Sequence, residues 1–165
     1  MRSQRAPNSR GSGRGGFTLT EIMAALLITG VGVGLFGTVF VNNWSAYEER
    51  IRRANMWSEA TQLFESMSTV GRNSRVINVT RTPAVVSATF MNADPTIITT
   101  FTIAADGTVS RVLGADIKIF STRAVLADSD FTKNGKDLIV DLVLRDTIFV
   151  RNINITAATE VSPRN

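Results

Sequence analysis

The twenty residues at positions 22–41 are apolar or small apart from Thr29 and Thr38, and a carboxylate, Glu21, stands at their leading edge. An α-helix rises about 1.5 Å per residue, so about 20 such residues match the ~30 Å hydrocarbon layer of a bilayer. Glu21 is the anomaly in this stretch. An ionisable side chain at the edge of a span costs free energy unless it is neutralised, paired or hydrated, which makes it a functional candidate by default.

Before the span the chain reads Gly15-Gly16-Phe17-Thr18-Leu19-Thr20-Glu21, preceded by a basic segment with Arg2, Arg5, Arg10 and Arg14 and no acid. An ordinary secretory signal has a shorter apolar stretch of about 7–15 residues, followed by a small-residue cleavage site. Here the apolar stretch is longer and the small residues precede it. Cutting between Gly16 and Phe17 would discard the basic leader and keep the hydrophobic helix.

In this Gly-Phe-Thr-Leu-x-Glu run followed by an apolar helix, the chain resembles the type IV pilin and pseudopilin superfamily. The match is strong over residues 15–41 and loose beyond. The resemblance implies that a prepilin peptidase removes residues 1–16 on the cytoplasmic side and that the new N-terminal residue, Phe17, is N-methylated. It also implies single-pass residence in a bacterial inner membrane, with the C-terminal part in the periplasm or outside the cell. Its expected partners are other pilin or pseudopilin subunits, met through the N-terminal helix, the inner-membrane assembly platform and membrane lipid. Positions 17 and 21 lie one turn apart on one helical face. In an array of packed helices the Phe17 amine of one subunit could meet Glu21 of a neighbour. The plainer alternative is a glutamate at the water interface of an uncleaved anchor.

Four glycines, Gly30, Gly32, Gly34 and Gly37, occupy the second half of the span. Gly30 and Gly34 form a GxxxG spacing that permits close helix approach. Glycine costs about 1 kcal/mol against alanine inside a helix, so this is also the easiest part to unwind. A packing face, a filament hinge and the ordinary abundance of glycine in membrane helices all remain open readings.

A net charge of +4 and an isoelectric point near 10.3 would ordinarily suggest a nucleic-acid partner. The excess belongs to the leader, since removing its four arginines from the eighteen basic residues leaves fourteen against fourteen acids. No nucleic acid is therefore expected as a partner. Cysteine and histidine are both absent, which removes disulfides, thiolate and imidazole catalysis and the usual zinc sites. There is no nucleotide-binding loop and no nucleophile–base pair, so no catalytic residue, metal or cofactor is expected and the chain reads as a subunit that acts by assembly.

Past the span, Trp44, Tyr47, Ile51, Ala54, Trp57, Thr61, Phe64 and Met67 recur at steps of three and four and predict one buried face of a helix. Glu48 and Glu49 each precede an arginine, Arg52 and Arg53, by four residues, a favourable order for surface ion pairs. No strong breaker lies between Asn42 and Ser68, and Gly71 is the expected stop. From Val76 onward the period changes to two. Strands are expected over 84–91, 97–104, 108–113, 117–120, 138–144 and 148–155, with turns at Asn92-Ala93-Asp94-Pro95, Asp106-Gly107 and Arg145-Asp146-Thr147.

The expected fold is therefore α+β, a long N-terminal helix, half membrane-spanning and half amphipathic, packed on a C-terminal antiparallel β-sheet, an arrangement that resembles the pilin fold. The divisions are leader 1–16, membrane or filament-core helix 17–41, amphipathic helix 42–72, sheet domain 73–156 and polar tail 157–165. The oxygen-rich loop with Asp128, Asp130, Asn134 and Asp137 fails the spacing of a calcium-binding hand and carries Lys133 and Lys136, so a solvated turn is expected there. On function, the resemblance implies a structural subunit of a type II secretion pseudopilus, with a minor type IV pilin as the near alternative. An uncleaved single-span protein displaying a β-rich binding module is the reading from another class.

Overall fold

A computed structural model describes residues 16–94, 96–148 and 151–163. One helix, α1 (Leu19–Asn73), is followed by eight strands: β1 (Ser74–Arg81), β2 (Val85–Asn92), β3 (Ile98–Ala104), β4 (Val109–Leu113), β5 (Asp116–Ser121), β6 (Asp130–Asn134), β7 (Asp137–Ile148) and β8 (Arg151–Val161). The class is α+β, as expected. The chain divides into two compact units, Met1–Trp44 and Ser45–Asn165. Among the described residues, α1 is the one helix long and apolar enough to cross a membrane.

In the second unit the sheet is not a single meander. β1 to β5 form a five-stranded antiparallel sheet in chain order, and β6, β7 and β8 form a separate three-stranded antiparallel sheet. Both sheets and the helix share one core. Met56, Ala60, Leu63 and Met67 of α1 join Ile77, Val86, Ala88, Phe90, Phe101, Ile103 and Val109 of the first sheet and Leu138, Val140, Leu142, Leu144, Ile153 and Ile155 of the second. Phe90 meets Phe101 edge-on with ring centroids 5.5 Å apart, and Phe101 stacks on Phe120 at 6.4 Å. Such aromatic pairs add to the area that they bury.

The helical face that reaches this core differs from the expected stripe. Trp44, Tyr47, Ile51 and Trp57 are 53%, 59%, 42% and 49% exposed, and Ala54 and Thr61 are exposed as well. Phe64 is half-buried against the core and Met67 is fully buried. The buried series is Met56, Ala60, Leu63, Met67 and Gly71, again at steps of three and four but one position out of phase over the first turns. Ala60 and Gly71 offer little apolar surface, and at Gly71 the missing side chain leaves room for Val161 of β8.

Gly71 is inside the helix rather than its stop. Its backbone is not in the positive-φ region, and a Cβ there would collide with the Val161 side chain. The helix ends two residues later, where the Ser74 hydroxyl donates to the Gly71 carbonyl at 2.8 Å. That bond satisfies one of the carbonyls left unpaired at a helix C-terminus.

Three further expectations are corrected. β1 and β6 are strands beyond the expected six. Arg145-Asp146-Thr147 is not a turn, since β7 continues to Ile148 and pairs residue by residue with β8 from Leu138↔Val161 to Ile148↔Arg151. Asp146 is held in that strand by two arginines, Arg52 at 3.2 Å and Arg123 at 3.4 Å. Arg123 also reaches Glu59 of α1 at 2.5 Å, so a carboxylate on the helix and one on β7 share a single guanidinium. Of the polar tail expected over 157–165, residues 157–161 are strand, and 164–165 lie outside the described residues. β8 runs to Val161, and Ile153, Ile155, Ala157 and Val161 are buried at even spacing.

Of the predicted helix pairs, Glu49 and Arg53 meet at 2.7 Å, whereas Arg52 turns to Asp146 instead of Glu48. The β3–β4 hairpin turns at Asp106-Gly107 as expected, with Gly107 at φ 86°, a conformation that favours glycine. The Asp94 carboxylate accepts bonds from the backbone N–H and hydroxyl of Thr96 in the β2–β3 connection. Pro95 of that expected turn lies outside the described residues.

Candidate functional site at the start of the helix

Gly16, Phe17 and Thr18 precede the first helical residue, Leu19. Gly16 has open space where a side chain would stand, and Phe17 is 84% exposed. Residues 1–15, which include Gly15 and the four leader arginines, lie outside the described residues. The Gly16–Phe17 bond therefore belongs to non-helical, exposed backbone.

Thr18 caps the helix. Its carbonyl accepts the N–H of Ile22 at 3.1 Å, the first intrahelical bond. Its hydroxyl faces the Glu21 N–H at 3.3 Å, while Glu21 Oε2 accepts the Thr18 N–H at 2.9 Å and the Thr18 hydroxyl at 3.0 Å. This is a capping box, a reciprocal pair in which the Ncap hydroxyl serves the third helical N–H and the glutamate serves the Ncap N–H. A carboxylate in the first turn is also favoured by the partial positive charge of the helix start. Glu21 thus has a local partner, which lowers the cost of holding a charge at a bilayer edge.

Thr18 is the site residue that sequence reasoning missed. Its signal was present as Thr18-Leu19-Thr20-Glu21, the Ser/Thr-x-x-Glu pattern of a capping box that opens an apolar run. Phe17 lies ahead of the helix rather than on one of its faces, but it borders one shallow concavity together with Glu21, Ile22, Ala25, Leu26 and Thr29.

Further along, a Cβ added at Gly30, Gly32, Gly34 or Gly37 would meet nothing within 4 Å. The helix continues unbroken through all four. Among the described residues, no contact requires a glycine at Gly30 or Gly34. Large apolar side chains are exposed all along this stretch, from Leu19 at 75% to Val41 at 65%. The two hydroxyls of the span are satisfied within it, Thr29 donating to the Ala25 carbonyl at 2.7 Å and Thr38 to the Leu35 carbonyl at 2.8 Å. Such internal bonding lets a hydroxyl sit among hydrocarbon.

The acidic loop resolves into pairs. Asp130 begins β6 and meets Arg81 at 3.0 Å, and Asp128 lies 3.7 Å from Arg145. Asn134 and Asp137 flank the β6–β7 hairpin, where Gly135 takes φ 63°. Two of its four oxygen-bearing side chains are thus turned toward arginines on different elements. Among the described residues, no group of three or more histidine, cysteine, aspartate or glutamate side chains is arranged to hold a metal ion.

Compared with known proteins, the chain matches no family model, no curated protein and no solved structure.

Proposed function

We propose that the chain is a prepilin-type structural subunit, cut after Gly16 and assembled through its N-terminal helix into a filament. Supporting this reading most directly is the helix start: an accessible Gly16–Phe17 bond two residues ahead of Leu19, with the Glu21 carboxylate bonded one residue beyond Phe17. Cleavage there leaves a free amine on Phe17 beside that carboxylate and a helix that stays in the membrane until assembly. Entering a filament, the amine of one copy meets Glu21 of a neighbour, and Gly30 and Gly34 allow close approach of the neighbouring backbone. The filament is a pseudopilus serving protein secretion, a role that suits a small, cysteine-free domain. The partners are the prepilin peptidase, sister subunits, the assembly platform and lipid.

Two substitutions at Glu21 separate its roles. Glu21→Gln keeps an acceptor for the Thr18 N–H, because glutamine also serves a capping box, but removes the charge. Glu21→Val removes both. Both variants should remain in the membrane and both should lose several-fold in crosslinking to sister subunits. If Glu21→Gln crosslinks like wild type while Glu21→Val fails, Glu21 acts as a helix cap and the charge-pairing proposal is wrong. Wild-type crosslinking in both would reduce Glu21 to an interfacial residue.

A further inference from the structure

The five-stranded sheet has two edges, and they are treated differently. β1 lies beside β6 and is tied to it by the 3.0 Å pair between Arg81 and Asp130. Among the described residues, β5 has β4 on one side and no strand on the other. A bare edge offers unpaired N–H and C=O groups to another chain, and proteins commonly blunt such edges with charge or proline. β5 is poorly blunted. Ile117 and Ile119 are 65% and 59% exposed, and the Lys118 ammonium folds back to 4.9 Å above the ring of its own Phe120.

The pairing Arg111↔Lys118 and Leu113↔Asp116 puts Asp116 and Lys118 on one face of the sheet, and Val112↔Ile117 and Ser110↔Ile119 put the two isoleucines on the other. No ionisable residue of β2 to β5 shares the isoleucine face, where Thr102 meets Ser110 at 2.8 Å and Thr89 meets Thr100 at 3.4 Å. The accessible part of the strand is Asp116 to Ile119, since Phe120 and Ser121 are buried.

From this geometry we infer that β5 pairs antiparallel with β5 of a second copy of the chain, Ile117 against Ile117. In a continuous antiparallel sheet, opposed residues share a face, so a two-fold pairing must centre on a residue. Centring on Ile119 requires the buried Phe120 and Ser121. Centring on Lys118 opposes two ammonium groups, which is destabilising. Centring on Ile117 opposes two isoleucines and sets Asp116 of each copy against Lys118 of the other. Asp116 already accepts from Arg111 at 2.9 Å, but its side chain is 64% exposed and retains acceptor capacity for a second cation. The contact is small, so association is weak and depends on local concentration. It is independent of the filament reading.

The chain has no cysteine, which makes single-cysteine crosslinking clean. Opposed Cα atoms in an antiparallel pair lie about 4.5–5.5 Å apart, within disulfide reach. The full chain carrying Ile117→Cys, oxidised in membranes, should form a covalent dimer several-fold more than the chain carrying Ile119→Cys, whose position faces Ala115 of the other copy. Adding Lys118→Asp to Ile117→Cys opposes like charges and should lower the yield several-fold. Equal crosslinking at 117 and 119, or a yield at 117 indifferent to Lys118→Asp, would overturn the proposal.

Discussion

Gly71, in the last turn of α1, lies against Val161 at the end of β8, so closely that a Cβ at position 71 would overlap the valine Cγ1. This contact fastens the C-terminal strand to the helix and explains why glycine occupies a helical position with ordinary φ. Gly71→Ala gains about 1 kcal/mol of helix propensity. The collision should outweigh it, because overpacking a core typically costs about 1–3 kcal/mol. Val161→Ala in the same background opens the space and should recover part of the loss. Urea unfolding of a fragment beginning at Ser45 measures the cycle, and strictly additive costs would contradict the contact.

The helix should show its phase in the same fragment. Leu63 is 1% exposed, while Trp57 is 49% exposed. Leu63→Ala is expected to cost about 2–5 kcal/mol, the range for truncating a buried aliphatic side chain. Trp57→Ala should stay within about 0.5 kcal/mol, as surface substitutions usually do. Equal losses from the two variants, read from thermal unfolding, would mean that the helix is rotated from the phase described.

The phase was legible only in part, for a physical reason. Sequence periodicity weights large apolar side chains, so Trp44, Tyr47, Ile51 and Trp57 define the stripe, yet the buried series includes Ala60 and Gly71, which hydrophobicity barely registers. Arg145-Asp146-Thr147 looks like a turn because its polarity is local, whereas the arginines that hold Asp146 in β7 come from α1 and the β5–β6 connection. The end of β8 is masked by Ala157, Ala158 and Thr159, which lack large apolar side chains although the alternation of Ile153 and Ile155 continues through Ala157. Local signals fared better. The apolar span, the Asp106-Gly107 hairpin and the Thr18–Glu21 cap all depend on neighbours in sequence.

The β3–β4 turn carries an acid-sensitive bond. The Thr108 backbone N–H, 2.8 Å from Asp106 Oδ1, holds the Asp106 carboxyl below the usual aspartate range, helped by the Thr108 side chain. A carboxylate whose folded pKa is depressed contributes stability above its unfolded value of about 3.9 and loses it as pH falls toward the folded value. Asp106→Asn keeps an acceptor but cannot titrate. The stability difference between wild type and Asp106→Asn should therefore shrink as the pH is lowered from about 5 to about 3. A difference constant over that range would show that the bond does not favour the charged form.

Processing after Gly16 with retention of the helix is the claim on which the functional reading stands, and the intact mass of the protein extracted from its native membrane tests it most directly. The expected species begins at Phe17, lacks residues 1–16 and carries one added methyl group on its amine. A full-length mass that still contains the leader, or a shorter one that has also lost residues 17–41, would contradict it.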